Sequence, residues 1–216
     1  MTTDEKIKQL FTVHVGNASS LAQNYSSTSL GQVFAAQFAN FSSLADSLRQ
    51  RNELQSALVR TSRLGIPISV CIEGLHSGAW GGTLFPAPPT LAASWNRSLW
   101  SDAFKTVALE ARASGADTLL TPVVNMITDA RFGRFSEGFS PDPTLTAHAG
   151  EAVVMALQGG PRQEDGPYSY LPDFNTSAVS LAKHFAGYGQ PDGGINGGIT
   201  SVSNRTVRKR RSRRSA

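Results

Sequence analysis

The sequence predicts an α/β fold: a parallel sheet covered by helices, laid out as an incomplete (β/α)8 barrel. Three observations carry this. Short apolar runs alternate with longer segments of helical spacing. The short runs are apolar at consecutive positions, as in strands buried on both faces. Each run is followed by a long polar loop, where a barrel builds its active site. A doubly wound sheet fits the same alternation. A full barrel takes about 250 residues. The chain has 216 and shows three or four strand-like runs, so the barrel is expected to be incomplete.

The elements follow in order. Thr3-Asp4-Glu5-Lys6, leading into Ile7 and Leu10, predicts a short capped helix. Asn17 to Ser29 is polar and predicts a loop. From Leu30 to Thr61, Val33, Phe34, Phe38, Phe41, Leu44, Leu48, Leu54, Leu58 and Val59 recur at three- and four-residue spacings, which predicts one long helix. Leu64-Gly65-Ile66-Pro67 breaks it, and Ile68 to Ile72 predicts a buried strand. Gly78 to Pro89 is a Gly/Pro-rich loop. Leu91 to Ala113 predicts a helix whose apolar face carries Trp95, Leu99, Trp100, Phe104, Val107 and Ala108. Leu119 to Val124 predicts a second strand. A loop over Asp129 to Pro143 leads into a helix over Thr144 to Leu157, stopped by Gly159-Gly160. Ala178 to Lys183 predicts a third strand, and Gly187 to Gly198 a Gly-rich loop.

Composition bounds the function. Hydrophobic residues make up 40% and charged residues 17%, an ordinary globular balance. The formal net charge of +4 is owed to the tail, where Arg205, Arg208, Lys209, Arg210, Arg211, Arg213 and Arg214 stand without an acid. Without those seven the remaining chain carries −3, which argues against a nucleic-acid-binding domain. The chain therefore divides into a domain over 1–204 and a basic tail over 205–216, expected to be disordered. No apolar run approaches the roughly 20 residues that cross a membrane, and Met1 to Lys6 holds no signal-peptide core. Six of the nine asparagines, Asn17, Asn24, Asn40, Asn96, Asn175 and Asn204, begin an Asn-x-Ser/Thr sequon. That excess suits a parent protein on the secretory route; a Ser-rich composition also produces it. The single cysteine, Cys71, lies in an apolar run and is expected to be a buried small hydrophobe. His14, His76, His148 and His184 are scattered and make no zinc spacing with it.

Four stretches, in order, are similar to family 3 glycoside hydrolases. The first is Asp4-Glu5-Lys6-Ile7-Lys8-Gln9-Leu10. The second runs from Arg63-Leu64-Gly65-Ile66-Pro67 through Glu73-Gly74-Leu75-His76 to Thr83-Leu84-Phe85-Pro86 and Leu91-Ala92-Ala93-Ser94-Trp95. The third is Asp129-Ala130-Arg131-Phe132-Gly133-Arg134 with Glu137-Gly138-Phe139-Ser140-Pro141-Asp142-Pro143. The fourth is Lys183-His184-Phe185-Ala186-Gly187-Tyr188-Gly189 with Pro191-Asp192-Gly193-Gly194-Ile195-Asn196. The resemblance covers about residues 4–208. It implies a barrel domain acting on terminal β-linked glucose or xylose by a retaining mechanism, with no metal or cofactor.

The residue types suit that chemistry. A sugar hydroxyl both donates and accepts, and charged hydrogen bonds are the stronger ones. The resemblance implies that Glu73 accepts from two adjacent hydroxyls while Arg134, Lys183 and His184 donate to others. Family members often have Asp at the place of Glu73, and β-xylosidases often Glu, so both sugars stay open. A salt-bridged structural acid is the alternative for Glu73, and loop capping the alternative for Arg134. Arg131, His76 and His148 are assigned structural roles. Neighbours on a regular strand point to opposite faces, so Lys183 and His184 can meet one sugar only if the backbone departs from regular geometry there. Tyr188 stands where the family often has His, and keeps a polar tip.

Retaining glycosidases need a nucleophilic carboxylate and an acid/base. The resemblance places the nucleophile in a Ser-Asp-Trp-like stretch downstream of Lys183-His184. No such stretch occurs, and Ser101-Asp102 lies in a predicted helix. The chain is thus expected to lack both groups and to be inactive by itself. A non-catalytic sugar-binding fragment or an unstable truncated remnant is the rival reading. From Lys209 to Ala216 the resemblance ends; that stretch reads as a nuclear-localisation or nucleic-acid patch, or, as is favoured here, as the product of a frameshift, retained intron or faulty gene model.

Overall fold

Five short parallel strands form one sheet in strict chain order: β1 (Thr12–His14), β2 (Gln32–Phe34), β3 (Ser69–Ile72), β4 (Thr118–Leu119) and β5 (Val179–Ser180). The computed structural model describes residues 1–14, 30–34, 43–79, 81–160, 173–185 and 187–205. A doubly wound sheet reverses its strand order at a switch point. This sheet never reverses, which is the order of a barrel wall. The α/β expectation and its incomplete (β/α)8 layout therefore hold.

The helices are α1 (Thr3–Lys8), α2 (Leu44–Thr61), α3 (Pro88–Ala92), α4 (Arg97–Ala113) and α5 (Pro143–Leu157). In α1, Thr2 accepts from the Glu5 amide at 3.2 Å and Glu5 accepts from the Thr2 amide at 2.6 Å, a reciprocal cap. Asn96 and Asp142 cap the starts of α4 and α5 one way only, their side chains accepting from the Leu99 and Leu145 amides at 3.2 and 2.8 Å. Gln55 of α2 holds both backbone groups of Ile68 at 2.8 Å, fixing that helix to the entry of β3.

Two apolar clusters meet at the sheet. Leu30, Val33, Leu54, Leu58, Ile68 and Val70 pack α2 against β2 and β3. Trp100, Phe104, Val107, Val153 and Leu157 pack α4 and α5 against Leu119 and Ala178. Ile72 touches both clusters. Cys71 is fully buried, as expected; burial, and then the Asp117 carboxylate, push its thiol up to about 12.

Four expectations are corrected. The long helix over Leu30 to Thr61 begins only at Leu44, because Gln32–Phe34 pairs with β1 and β3 as a strand. Phe38 and Phe41 lie outside the described residues, as do the Asn17 to Ser29 loop and nearly all of the basic tail. The helix over Leu91 to Ala113 is two helices. Trp95 turns left-handed at φ 53°, and Asn96 caps a new start. Trp100 ties across the break, its Nε1–H donating to the Leu91 carbonyl at 2.6 Å. The strand over Leu119 to Val124 shortens to Thr118–Leu119, since Pro122 has no N–H for the ladder. The strand over Ala178 to Lys183 keeps only Val179–Ser180, with one further bridge between Val123 and Lys183. No described helix is long and apolar enough to cross a membrane.

Candidate functional site

Glu73, Arg134, Lys183 and His184 all follow the C-terminal ends of strands. Glu73 comes directly after β3. Gly74 then adopts φ +65°, and a Cβ there would lie 2.6 Å from Leu119 Cδ2. Only glycine turns the chain out so sharply against β4. Arg134 lies in the loop after β4, between two short 3-10 turns, Ala130–Phe132 and Phe135–Glu137. Gly133, at φ +81°, joins those turns. Lys183 and His184 follow β5.

The Lys183–His184 peptide bond is cis, so the backbone does depart from regular strand geometry at this pair. Lys183 is buried, and its ammonium forms an ion pair with Glu73. The Glu73 side chain keeps 42% of its surface exposed, so the pair is open to solvent on that side. A lysine buried at a strand end needs such a partner.

Arg134 is held from two sides. Its Nε and Nη2 donate to the Glu137 carboxylate at 2.7 and 2.6 Å, a two-pronged pair. Its Nη1 donates to the Tyr188 hydroxyl at 2.7 Å. Three of the guanidinium's N–H groups are thus engaged, leaving two for a ligand. Burial works against the charged form of Glu137, but Arg134 outweighs it and holds the carboxyl below its usual range. The Tyr188 hydroxyl in turn donates a hydrogen bond to Asn196 Oδ1 at 2.5 Å. Its ring lies 4.4 Å from the His184 ring and 5.3 Å from that of Phe132, centroid to centroid.

His184 is anchored by Asn125, a buried amide after β4. Asn125 Oδ1 lies 2.9 Å from His184 Nδ1 and accepts from its backbone N–H at 3.2 Å. Burial, then Arg134 and Lys183, hold the imidazole below its usual value; Glu137 and Glu73 oppose them. Lys183 thus touches Glu73 directly, while Tyr188 links Arg134 and His184. The cluster gathers beyond the C-terminal ends of β3, β4 and β5.

Other residues separate from it. Arg131 is tied to Asp129 at 2.6 Å and is largely exposed. His148 lies on α5, with Nδ1 3.5 Å from Arg97. Asp102 pairs with Lys105 on the surface of α4 at 3.3 Å. The His76 carbonyl accepts from Phe85, which closes its loop. Asn125 was missed in the sequence, Glu137 was seen only as part of a longer stretch, and Tyr188 was noted for its polar tip but given no partner. Asn125 does carry a signal: a lone amide among Val123, Val124, Met126 and Ile127 has to find partners once buried. Among the described residues no three His, Cys, Asp or Glu side chains are placed to hold a metal.

Residues 2–212 match the glycosyl hydrolase family 3 N terminal domain. A putative beta-xylosidase of Formosa agariphila is 38% identical over 157 residues, 72% of this chain and 20% of that protein. A periplasmic beta-glucosidase of Salmonella typhimurium is 33% identical over 195 residues, 90% of this chain and 23% of that protein. Among solved structures, a β-glucosidase of Erythrobacter marinus superimposes with a TM-score of 0.80 at 30% identity, covering 94% of this chain and 26% of that one. The chain therefore spans about a fifth to a quarter of the length of these relatives.

Proposed function

This chain belongs to the glycosyl hydrolase family 3 N terminal domain family, and from that premise we propose that it forms the sugar-binding wall of a β-glucosidase- or β-xylosidase-type active site. The observation that carries the proposal is the convergence of Glu73, Lys183, His184 and Arg134 at the C-terminal ends of β3, β4 and β5. Loops at that end of a barrel build its active site.

The division of labour follows from the geometry. Glu73 offers acceptor oxygens on its exposed side while neutralising Lys183. Lys183 offers its remaining ammonium protons, and Arg134 its two free N–H groups, in fixed directions. Pinning these long side chains beforehand removes the rotamer entropy a sugar would otherwise have to offset. In the complete protein, the bound glycoside would be cleaved with retention by a nucleophile and an acid/base. The 216 residues contain no Ser-Asp-Trp stretch. The chain by itself is proposed to bind without hydrolysing.

Hydrolysis of aryl β-glucosides and aryl β-xylosides by the purified chain tests the second half. The expected rate equals background. A rate abolished by a substitution within residues 1–216 would overturn it. Titration with glucose, xylose and gluconolactone tests the first half and separates a binder from a remnant that takes up none of them.

A further inference from the structure

Asn125 was not among the residues the sequence singled out, yet every polar atom of its side chain is engaged. Its Nδ2 donates to the Tyr188 carbonyl at 2.7 Å. Its Oδ1 accepts from the His184 backbone N–H at 3.2 Å and faces His184 Nδ1 at 2.9 Å. A carbonyl can only accept, and a backbone N–H can only donate. The amide orientation is therefore settled by its two backbone partners, which removes the usual ambiguity of an Asn flip. The oxygen faces the ring, so the proton between them belongs to His184 Nδ1.

We propose that Asn125 is a positioning residue that holds His184 as the Nδ1–H tautomer, turning Nε2 into a hydrogen-bond acceptor for a sugar hydroxyl. The proposal rests on the sugar-site reading above and deepens it. A neutral imidazole carries one donor and one acceptor nitrogen, and the bond made by one nitrogen decides the other. The charged groups around the ring favour the neutral form. Burial opposes an imidazolium first, then Arg134 and Lys183, against the weaker pull of Glu137 and Glu73. The Tyr188 ring packs against the imidazole at 4.4 Å, tilted by 54°. On this account His184 accepts where the family resemblance has it donate. Lys183 donates beside it, so the pair together suits a group that is donor and acceptor at once. A hydroxyl is such a group; an ether oxygen is not.

The test is a long-range proton–nitrogen correlation spectrum of the full chain, labelled with 15N histidine. Four histidines give four patterns, and His184→Gln identifies the one of interest. The wild type should show His184 protonated on Nδ1 with a bare Nε2. Asn125→Asp keeps an acceptor for Nδ1–H and should keep that tautomer, while its negative charge raises the pH at which the ring titrates. Asn125→Ala should lose the lock and show Nε2–H, with the patterns of His14, His76 and His148 unchanged as the control for folding. Protonation on Nε2 in the wild type, or an unchanged tautomer in a folded Asn125→Ala, overturns the proposal. Adding gluconolactone should shift the His184 Nε2 signal. A correct tautomer that ignores gluconolactone refutes the sugar reading and leaves the lock standing.

Discussion

Replacing Glu73 by Gln tests how the buried lysine is held. The substitution keeps the shape of the side chain and removes the charge opposite Lys183, whose side chain is 9% exposed while that of Glu73 is 42% exposed. A surface ion pair contributes about 0–1 kcal/mol. Breaking a buried one costs about 3–5 kcal/mol, because it strands a charge. A pair with one buried and one half-exposed member falls between, so Glu73→Gln should cost about 2 kcal/mol. With a urea slope of roughly 2 kcal/mol/M, the unfolding midpoint should fall by about 1 M. Lys183→Met removes the stranded charge. The double variant should therefore be more stable than the sum of the singles predicts, by about 1–2 kcal/mol of coupling. Urea unfolding of the four proteins measures this. A Glu73→Gln midpoint within about 0.2 M of wild type, or strictly additive singles, would refute the idea that Glu73 is what makes a buried Lys183 tolerable.

Further predictions concern other parts of the wall. Gly74→Ala combines left-handed backbone strain with a Cβ 2.6 Å from Leu119 and should destabilise by about 2–4 kcal/mol; thermal unfolding near wild-type temperature would show that the turn relaxes freely. Glu5 should titrate at about 2, held down first by its hydrogen bonds from Arg63. Its folded value lies below its unfolded one, so its contribution to stability is full above the ordinary carboxylate range and fades as pH falls towards 2. In Arg63→Ala, carboxyl NMR titration should move Glu5 up towards the ordinary carboxylate range, but not all the way, since the Thr2 backbone N–H still donates to it; an unmoved midpoint contradicts this. Cys71 should resist a thiol reagent at pH 8 in the native chain and react at once in denaturant, since burial keeps the thiol protonated. Rapid native labelling would show that β3 is not buried as described.

The parts of the fold that were legible in the sequence are those where local pattern and tertiary environment agree. Ile68 to Ile72 is apolar at every other residue and more, and β3 spans Ser69–Ile72. The helix over Thr144 to Leu157 begins one residue earlier, at Pro143, because Asp142 caps it. Val33 and Phe34 misled because their spacing to later apolar residues matches a helix; sheet pairing decides the matter, and single-sequence spacing does not contain it. Thr12–His14 was missed because a three-residue strand with mostly exposed side chains leaves no alternation to read. At the site, Glu73, Lys183, His184 and Arg134 were singled out on the family resemblance, and the fold brings them together. Their mutual arrangement was not legible: Arg134 meets Tyr188 across 54 positions and Asn125 meets His184 across 59. Such pairings exist only once β4 and β5 lie side by side.

The central claim is that these side chains form a sugar-binding wall, and calorimetric titration of the chain with gluconolactone tests it most directly. Its flattened ring resembles the oxocarbenium-like transition state of glycoside cleavage. The account predicts saturable one-to-one binding that weakens at least tenfold in Lys183→Met and in Arg134→Met, each shown to be folded. Absence of saturable heat, or equal affinity in both variants, would contradict it.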